Sequence, residues 1–425
     1  MSAIKDKLAS QIPGIREQIK SMVADHGDKV ISQVTVKQAY GGVRGVKCLV
    51  CDTSEVPPDK GLLIRNIPVG ELADRLPEEV FWLLLTGEMP NKDELNDLQK
   101  ELRARAKVPD YVWKVLEQMP KDSHPMAMFN TAILIMQKES KFVKAYNEGV
   151  KKPDYWIYTL EDALDLIAKL PSIAAGVYRM RFNKGARIDN NPDVDWSGDY
   201  VHMMGLGDPD GKFTEAMRLY FVLHSDHESG NVSAHTTACV NSALSDLYYS
   251  LSAGLNGLAG PLHGLANQEC LKWILELREK FKGVPGDKEL EQFAWDTLNS
   301  GKVIPGYGHA VLRITDPRFT AFLKWGKENI GDDEIVQTVA KVYDIVPGVL
   351  KQVKKIADPW PNVDAGSGSI LYHFGLTEFP YYTVLFSVSR ALGVCSQAVY
   401  ARAMGWPIER PKSIPTGWIA GQVKK

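Results

Sequence analysis

The sequence predicts a mainly α protein, and three observations carry that expectation. Apolar residues recur at helical spacing through most of the 425 residues. Strand signals are confined to short pieces near the N-terminus. No strand–helix–strand rhythm runs along the chain, which argues against a doubly wound nucleotide-binding sheet. In order, helix patterns cover Ile4–Ala24, Pro77–Leu85, Lys92–Ala106, Met126–Gln137, Leu160–Arg181, Phe213–His224, Leu262–Lys282, Lys288–Ser300, Glu334–Lys355 and Tyr381–Met404. The expected strands are Val34–Val36, Val46–Asp52 and Leu62–Ile64, with Gly41-Gly42 as a turn. The segment Ala234–Gly260 is rich in Ala, Ser and Gly, with Gly254, Gly257 and Gly260 three apart. It lacks the glycine fingerprint of a phosphate loop and follows no strand, so it reads as a tight helix contact or subunit interface.

Length alone suggests about two to three domains. The loops richest in Gly and Pro lie between Gly264 and Gly375, which suits a smaller mobile domain inserted into a larger one. With 50 Lys+Arg against 52 Asp+Glu, the net charge is -2 and no general affinity for nucleic acid is expected. The longest apolar stretch, Tyr381–Trp406, is interrupted by Arg390, Gln397 and Arg402 and reads as a buried helix rather than a membrane span. Five cysteines suit reduced thiols, and Cys48-x-x-Cys51 lacks the second pair or histidines of a zinc site. The first residues have no apolar signal core, and a transit peptide is expected to be absent from this chain.

Five loci hold the chemistry-bearing residues. His224-Ser-Asp-His227-Glu matches neither zincin order, so no metal site is expected; one of these histidines could anchor an anion, and a structural role is the alternative, for His224 and His235 above all. Pro261 fits the first turn of a helix, which would put His263 at a helix N-terminus, where the dipole favours a neutral imidazole; a cap is the alternative. Pro305-Gly306-Tyr307-Gly308-His309 bends the backbone close to a flat ligand, and Arg313 and Arg318 follow it. Asp364 ends a Pro/Gly-stiffened loop, as a positioned base or as an N-cap. Arg390 inside an apolar helix requires an anionic partner, from the protein or from a substrate. One carboxylate, neutral hydrogen-bond donors and arginine forks suit proton abstraction α to a carbonyl on a small polycarboxylate.

The run Gly306-Tyr-Gly-His-Ala-Val-Leu-Arg-Ile-Thr-Asp-Pro-Arg318 resembles the signature of the citrate synthase family. His224-Ser-Asp-His-Glu, Asn231-Val-Ser-Ala-His235, Gly257-Leu-Ala-Gly-Pro-Leu-His-Gly264 and Pro359-Trp-Pro-Asn-Val-Asp364 match in the family's order, and Glu409-Arg-Pro-Lys412 closes a likeness covering nearly the whole chain, most similar to the eukaryotic mitochondrial type. The resemblance implies the citrate synthase fold: a large helical domain, 1–264 plus 376–425, a smaller mobile helical domain, 265–375, and a homodimer. It implies that Asp364 takes a methyl proton from acetyl-CoA while His263 hydrogen-bonds the thioester oxygen, and that His309 polarises and protonates the oxaloacetate ketone. His227, His309, Arg318, Arg390 and, from a second subunit, Arg410 would bind oxaloacetate. Backbone around Val303, Gly306 and Gly308 would hold the CoA adenine beside Asn362, with Arg44 and Arg313 on its phosphates. Lys144 stands where a partner-subunit arginine is expected, keeping the charge without the bidentate fork, and Gly366 replaces a bulkier side chain of the animal enzymes. No metal or other cofactor is implied, since the CoA thioester is a substrate, and no nucleic-acid or membrane partner. Residence in the mitochondrial matrix is implied, with cytoplasm or peroxisome as alternatives. A 2-methylcitrate synthase taking propionyl-CoA is the neighbouring reading; a non-catalytic scaffold and a metal hydrolase are more distant ones.

Overall fold

The structure, a computed structural model, describes residues 2–309 and 311–424. Two long helices, Tyr155–Arg181 and Tyr382–Met404, pack against each other through the centre of the molecule. Both are buried along most of their length, as helices surrounded by other helices must be; Tyr155–Arg181 also carries Glu161, Asp165 and Lys169, which are paired with charges on it and on its neighbours. Phe379–Met404 is long and apolar enough to cross a membrane by length and composition, yet its window is 78% buried, which fits the expected core helix. Around this pair pack Ala3–His26, Pro77–Thr86, Lys92–Arg105, Pro125–Ile135, Trp196–Met204 and Lys212–Leu223. Val232–Ser242 and Leu247–Leu258 form a close helix pair on one side. A Cβ on Gly254 would collide with Thr237 Oγ1 and lie 2.6 Å from the Ser233 carbonyl, so the expected tight contact of small residues is present.

Ala266–Phe281, Asp287–Asn299, Pro317–Ile330, Glu334–Lys351 and Asp364–His373 pack chiefly on one another. This group meets the rest largely through Pro317–Ile330, which touches Lys212–Leu223 and the 3-10 turn Val69–Leu72. The candidate site residues are divided between the groups: His227, His263 and Arg390 belong to the first, His309, Arg318 and Asp364 to the second.

Three expectations need correction. Val34–Val36 and Val46–Asp52 are not strands; Thr35 caps a short helix, Val36–Tyr40, through a reciprocal bond pair with Gln38, and 46–52 is irregular. The strands are instead Ser54–Glu55, Leu63–Ile64 and Ile67–Pro68, a small antiparallel sheet. The helix expected from Leu262 begins at Ala266. Residues 261–265 form a turn that closes back on the preceding helix, with His263 N–H donating to the Gly260 carbonyl at 3.0 Å and Gly264 N–H to the Leu258 carbonyl at 3.0 Å. Pro261 therefore serves the turn, and His263 is not at a helix N-terminus.

Candidate active site

His263 is held by the start of the Val232–Ser242 helix. Its Nε2 accepts the Ser233 N–H at 3.3 Å and lies 2.9 Å from Ser233 Oγ. A backbone N–H can only donate, so Nε2 is the lone-pair nitrogen and the neutral ring carries its proton on Nδ1. Burial, and then the Arg390 charge, push its pKa down to about 4. Neutrality at His263 thus has a cause other than the helix dipole expected from sequence.

His309 is pinned in the opposite sense. Its Nδ1 accepts the Val311 N–H at 3.0 Å and the Leu312 N–H at 2.9 Å, leaving the proton on Nε2. Burial first, and Arg318 next, lower its pKa to about 4. The His227 ring stands 5.7 Å from the His309 ring, and its buried Nε2 has no hydrogen-bond partner among the described residues. The His227 carbonyl is held by Asn231 Nδ2 at 2.9 Å. His224 is held on one side, its Nδ1 3.0 Å from the Tyr220 carbonyl and its ring stacked on Tyr220, while its buried Nε2, like that of His227, has no hydrogen-bond partner among the described residues.

Asp364 is the first residue of Asp364–His373, and its side chain caps nothing, so the N-cap alternative does not describe it. Its N–H donates to Asn362 Oδ1 at 3.0 Å. Burial pushes its pKa up to about 6 against the pull of Arg318. Asn362 ties this loop to the Gly306–Gly308 turn: its N–H donates to the Gly306 carbonyl at 2.9 Å and its Nδ2 to the Gly308 carbonyl at 3.0 Å. Gly308 N–H returns a bond to the Trp360 carbonyl at 2.9 Å. Gly306 and Gly308 both have positive φ, and a Cβ on Gly306 would lie 2.9 Å from Cys270 Sγ and from Ala365 Cα. Only glycine permits that approach. Val303, at the start of the turn, is exposed.

The two buried arginines differ in their partners. Arg318 forms a fork with Asp316, Nε to Oδ1 at 3.0 Å and Nη2 to Oδ2 at 2.7 Å. Arg390 donates only to neutral oxygens: the His224 carbonyl at 3.3 Å, Asn231 Oδ1 at 3.2 Å and Ser233 Oγ at 3.3 Å. Among the described residues no carboxylate lies within ion-pair distance of it, so the anionic partner required by its burial is not in the chain's own first contacts. Sequence reasoning gave no role to Ser233, Asn231 or Asp316, whose signal is only the capping pattern Asn231-x-Ser233 and the Asp316-Pro-Arg318 spacing.

His227 and His309 are thus neighbours, His263 and Arg390 are joined through Ser233, and Asp364 and His309 lie near enough to Arg318 to feel its charge. Other expected residues stand apart. Arg44 lies in an exposed turn, Lys144 is exposed on Lys141–Asn147, and Arg410 is exposed beyond Tyr382–Met404. No hydrogen bond or ion pair among the described residues joins these three side chains to the cluster. Glu409, beside Arg410, is fastened to Val232–Ser242 by His235 Nε2 at 2.8 Å and by Ser242 Oγ, which accepts the Glu409 N–H at 3.0 Å. Arg313 Nη1 folds onto the Leu312 carbonyl at 2.6 Å.

The family description "Citrate synthase, C-terminal domain" matches residues 42–412. The chain belongs to the citrate synthase family. It is 48% identical to the mitochondrial citrate synthase of Saccharomyces cerevisiae, over 99% of this chain and 90% of that one. It is 48% identical to that of Xiphias gladius, over 97% of this chain and 90% of that one, and 45% identical to citrate synthase 4 of Arabidopsis thaliana, over 99% and 91%. Among solved structures, the citrate synthase of Pyrobaculum aerophilum superposes with a TM-score of 0.79 at 26% identity, covering 92% of this chain and 96% of that one. The ternary complex of the Thermoplasma acidophilum enzyme with carboxymethyl coenzyme A and oxaloacetate gives 0.76 at 22% identity, covering 91% and 97%, a likeness of fold. The mainly α citrate synthase fold is therefore the fold of this chain.

Proposed function

We propose that this protein is a citrate synthase of the mitochondrial tricarboxylic acid cycle, condensing acetyl-CoA with oxaloacetate and hydrolysing citryl-CoA to citrate and CoA. The observation that carries the reading is the opposite pinning of two neutral histidines around one carboxylate. His263 offers Nδ1–H and His309 offers Nε2–H, each fixed by backbone N–H groups at the other ring nitrogen. Fixed neutral donors stabilise charge that develops on oxygen without reorganising. Asp364 removes a methyl proton from acetyl-CoA, and His263 hydrogen-bonds the thioester oxygen as the enol or enolate forms. That carbon attacks the oxaloacetate ketone, whose oxygen is polarised and then protonated from His309. Water then cleaves the citryl thioester. His227, with its unpartnered Nε2, Arg318 and the carboxylate-free Arg390 hold oxaloacetate.

The helices from Ala266 to His373 act as a small domain, 265–375, closing on a large domain, 1–264 plus 376–425; support comes from their packing chiefly on one another. Closure excludes water until the condensation is complete. The adenine lies along Val303–Gly308 with Asn362 behind it, and Arg44 and Arg313 serve the phosphates. Arg410 and Lys144 act across a homodimer, which accords with their distance from the chain's own cluster.

The acyl pocket decides between acetyl-CoA and propionyl-CoA, a difference of one methylene worth about 1–3 kcal/mol. Thiol release measured with each thioester and oxaloacetate is expected to favour acetyl-CoA clearly. A propionyl preference would make the chain a 2-methylcitrate synthase.

A further inference from the structure

Asp226 is fully buried one residue before His227 and takes no part in the chemistry above. Its Oδ2 accepts Thr53 Oγ1–H at 2.6 Å and Ser54 Oγ–H at 2.8 Å, and its Oδ1 accepts Gln397 Nε2–H at 2.7 Å. Gly393, one turn beyond Arg390, makes room for it: a Cβ there would collide with Asp226 Oδ1 and lie 2.5 Å from the Ser225 carbonyl. Gly393 N–H donates to that carbonyl at 3.0 Å. Ser54 Oγ also accepts the Glu228 N–H at 2.7 Å, at a residue with φ of 47°, a left-handed conformation that non-glycine residues seldom adopt. Asp226 and its donors therefore hold both the His227–Glu228 turn and the helix that carries Arg390.

Those bonds give Asp226 a structural role, but a buried charge is costly unless an opposite charge balances it. Arg390 supplies that charge. It is buried and, among the described residues, donates its hydrogen bonds only to neutral oxygens, and Asp226 is the main charge that opposes the effect of burial on it. Resting on the reading that Arg390 binds an oxaloacetate carboxylate, we infer that Asp226 is a positioning residue: it balances the Arg390 charge from outside ion-pair distance and leaves Nη2, which has no hydrogen-bond partner among the described residues, for the substrate. Arg318 is held in the other manner: Asp316 takes its Nε and Nη2, and Nη1, without a hydrogen-bond partner among the described residues, remains for the substrate. A direct ion pair at Arg390 would compete with substrate; a carboxylate held out of ion-pair reach does not.

The charged and titratable groups facing Arg390 are Asp226, Glu228, His224 and His227 on the turn, Tyr220 on Lys212–Leu223, Arg318, Asp364 and His263. Burial already lowers the Arg390 pKa to about 10, with Asp226 opposing. Loss of the Asp226 charge lowers it further, so oxaloacetate binding then fails at a less alkaline pH.

Asp226→Asn is the test, because its amide can donate to both hydroxyls and accept from Gln397, preserving the fold. Oxaloacetate binding by calorimetry is expected to weaken about tenfold at neutral pH, with kcat at saturation changed less than about threefold. The pH at which binding is lost on the alkaline side is expected to fall by about one unit. Wild-type affinity, or weaker binding with an unmoved alkaline limb, would overturn the inference. Thr53→Val, which removes one donor and keeps the shape, serves if Asp226→Asn does not fold. It is expected to weaken oxaloacetate binding toward acid pH as Asp226 takes up a proton, and wild-type binding across the range would overturn the inference equally. Arg390→Gln separates the two readings: unimpaired binding in that variant removes Arg390 from the oxaloacetate site, whereas impaired binding with an unaffected Asp226→Asn removes only the role of Asp226.

Discussion

At Asp364, burial and charge act in opposite directions and burial wins, lifting its pKa to about 6 while Arg318 opposes. His263 and His309 are driven the other way, to about 4, so neither titrates between pH 5 and 8. A base works only when ionised. The kcat/KM for acetyl-CoA is therefore expected to fall as pH drops through about 6, with a single limb belonging to Asp364; a limb near the ordinary aspartate value would mean that Asp364 is not the buried base described. These residues stood out in the sequence because their loops are built from Gly and Pro at fixed spacing. Their protonation geometry was not. It depends on N–H groups of Ser233, Val311 and Leu312, whose direction exists only after the chain has folded.

At the scale of elements, helices with a sustained apolar periodicity were legible to within a few residues: Ala3–His26, Pro77–Thr86 and Tyr382–Met404 lie close to their expected spans. Trp196–Met204 and Asp364–His373 went unseen, since Ser and Gly fill their first turns and leave little helix propensity or apolar period to read. Val46–Asp52 has strand composition but no strand to pair with, and composition alone cannot supply a partner. The helix expected at Leu262 failed for a related reason. Pro261 is compatible with a first helical turn, but the Gly257 and Leu258 carbonyls offer nearer partners for Gly260 and Gly264 N–H. That tighter turn is what swings His263 back onto Ser233.

At the scale of the molecule, a net charge of -2 conceals a local excess of arginine where the helix groups meet. Arg318 and Arg390 are buried there, whereas Arg410 and Lys144 face outward from the same chain. If Arg410 completes the site of a second subunit, Asp364→Asn and Arg410→Gln subunits, each nearly inactive alone, complement each other when mixed. Statistical mixing gives mixed dimers with one intact site each, so activity is expected to recover to about a quarter of wild type. No recovery would place Arg410 in its own subunit's site. The role of Asp364 itself is tested most directly by the Asp364→Asn enzyme, assayed for CoA release from acetyl-CoA with oxaloacetate and for oxaloacetate binding by calorimetry. Condensation is expected to be nearly abolished with oxaloacetate affinity within about threefold of wild type, the signature of an interaction made only in the transition state; near-normal turnover would contradict proton abstraction by Asp364.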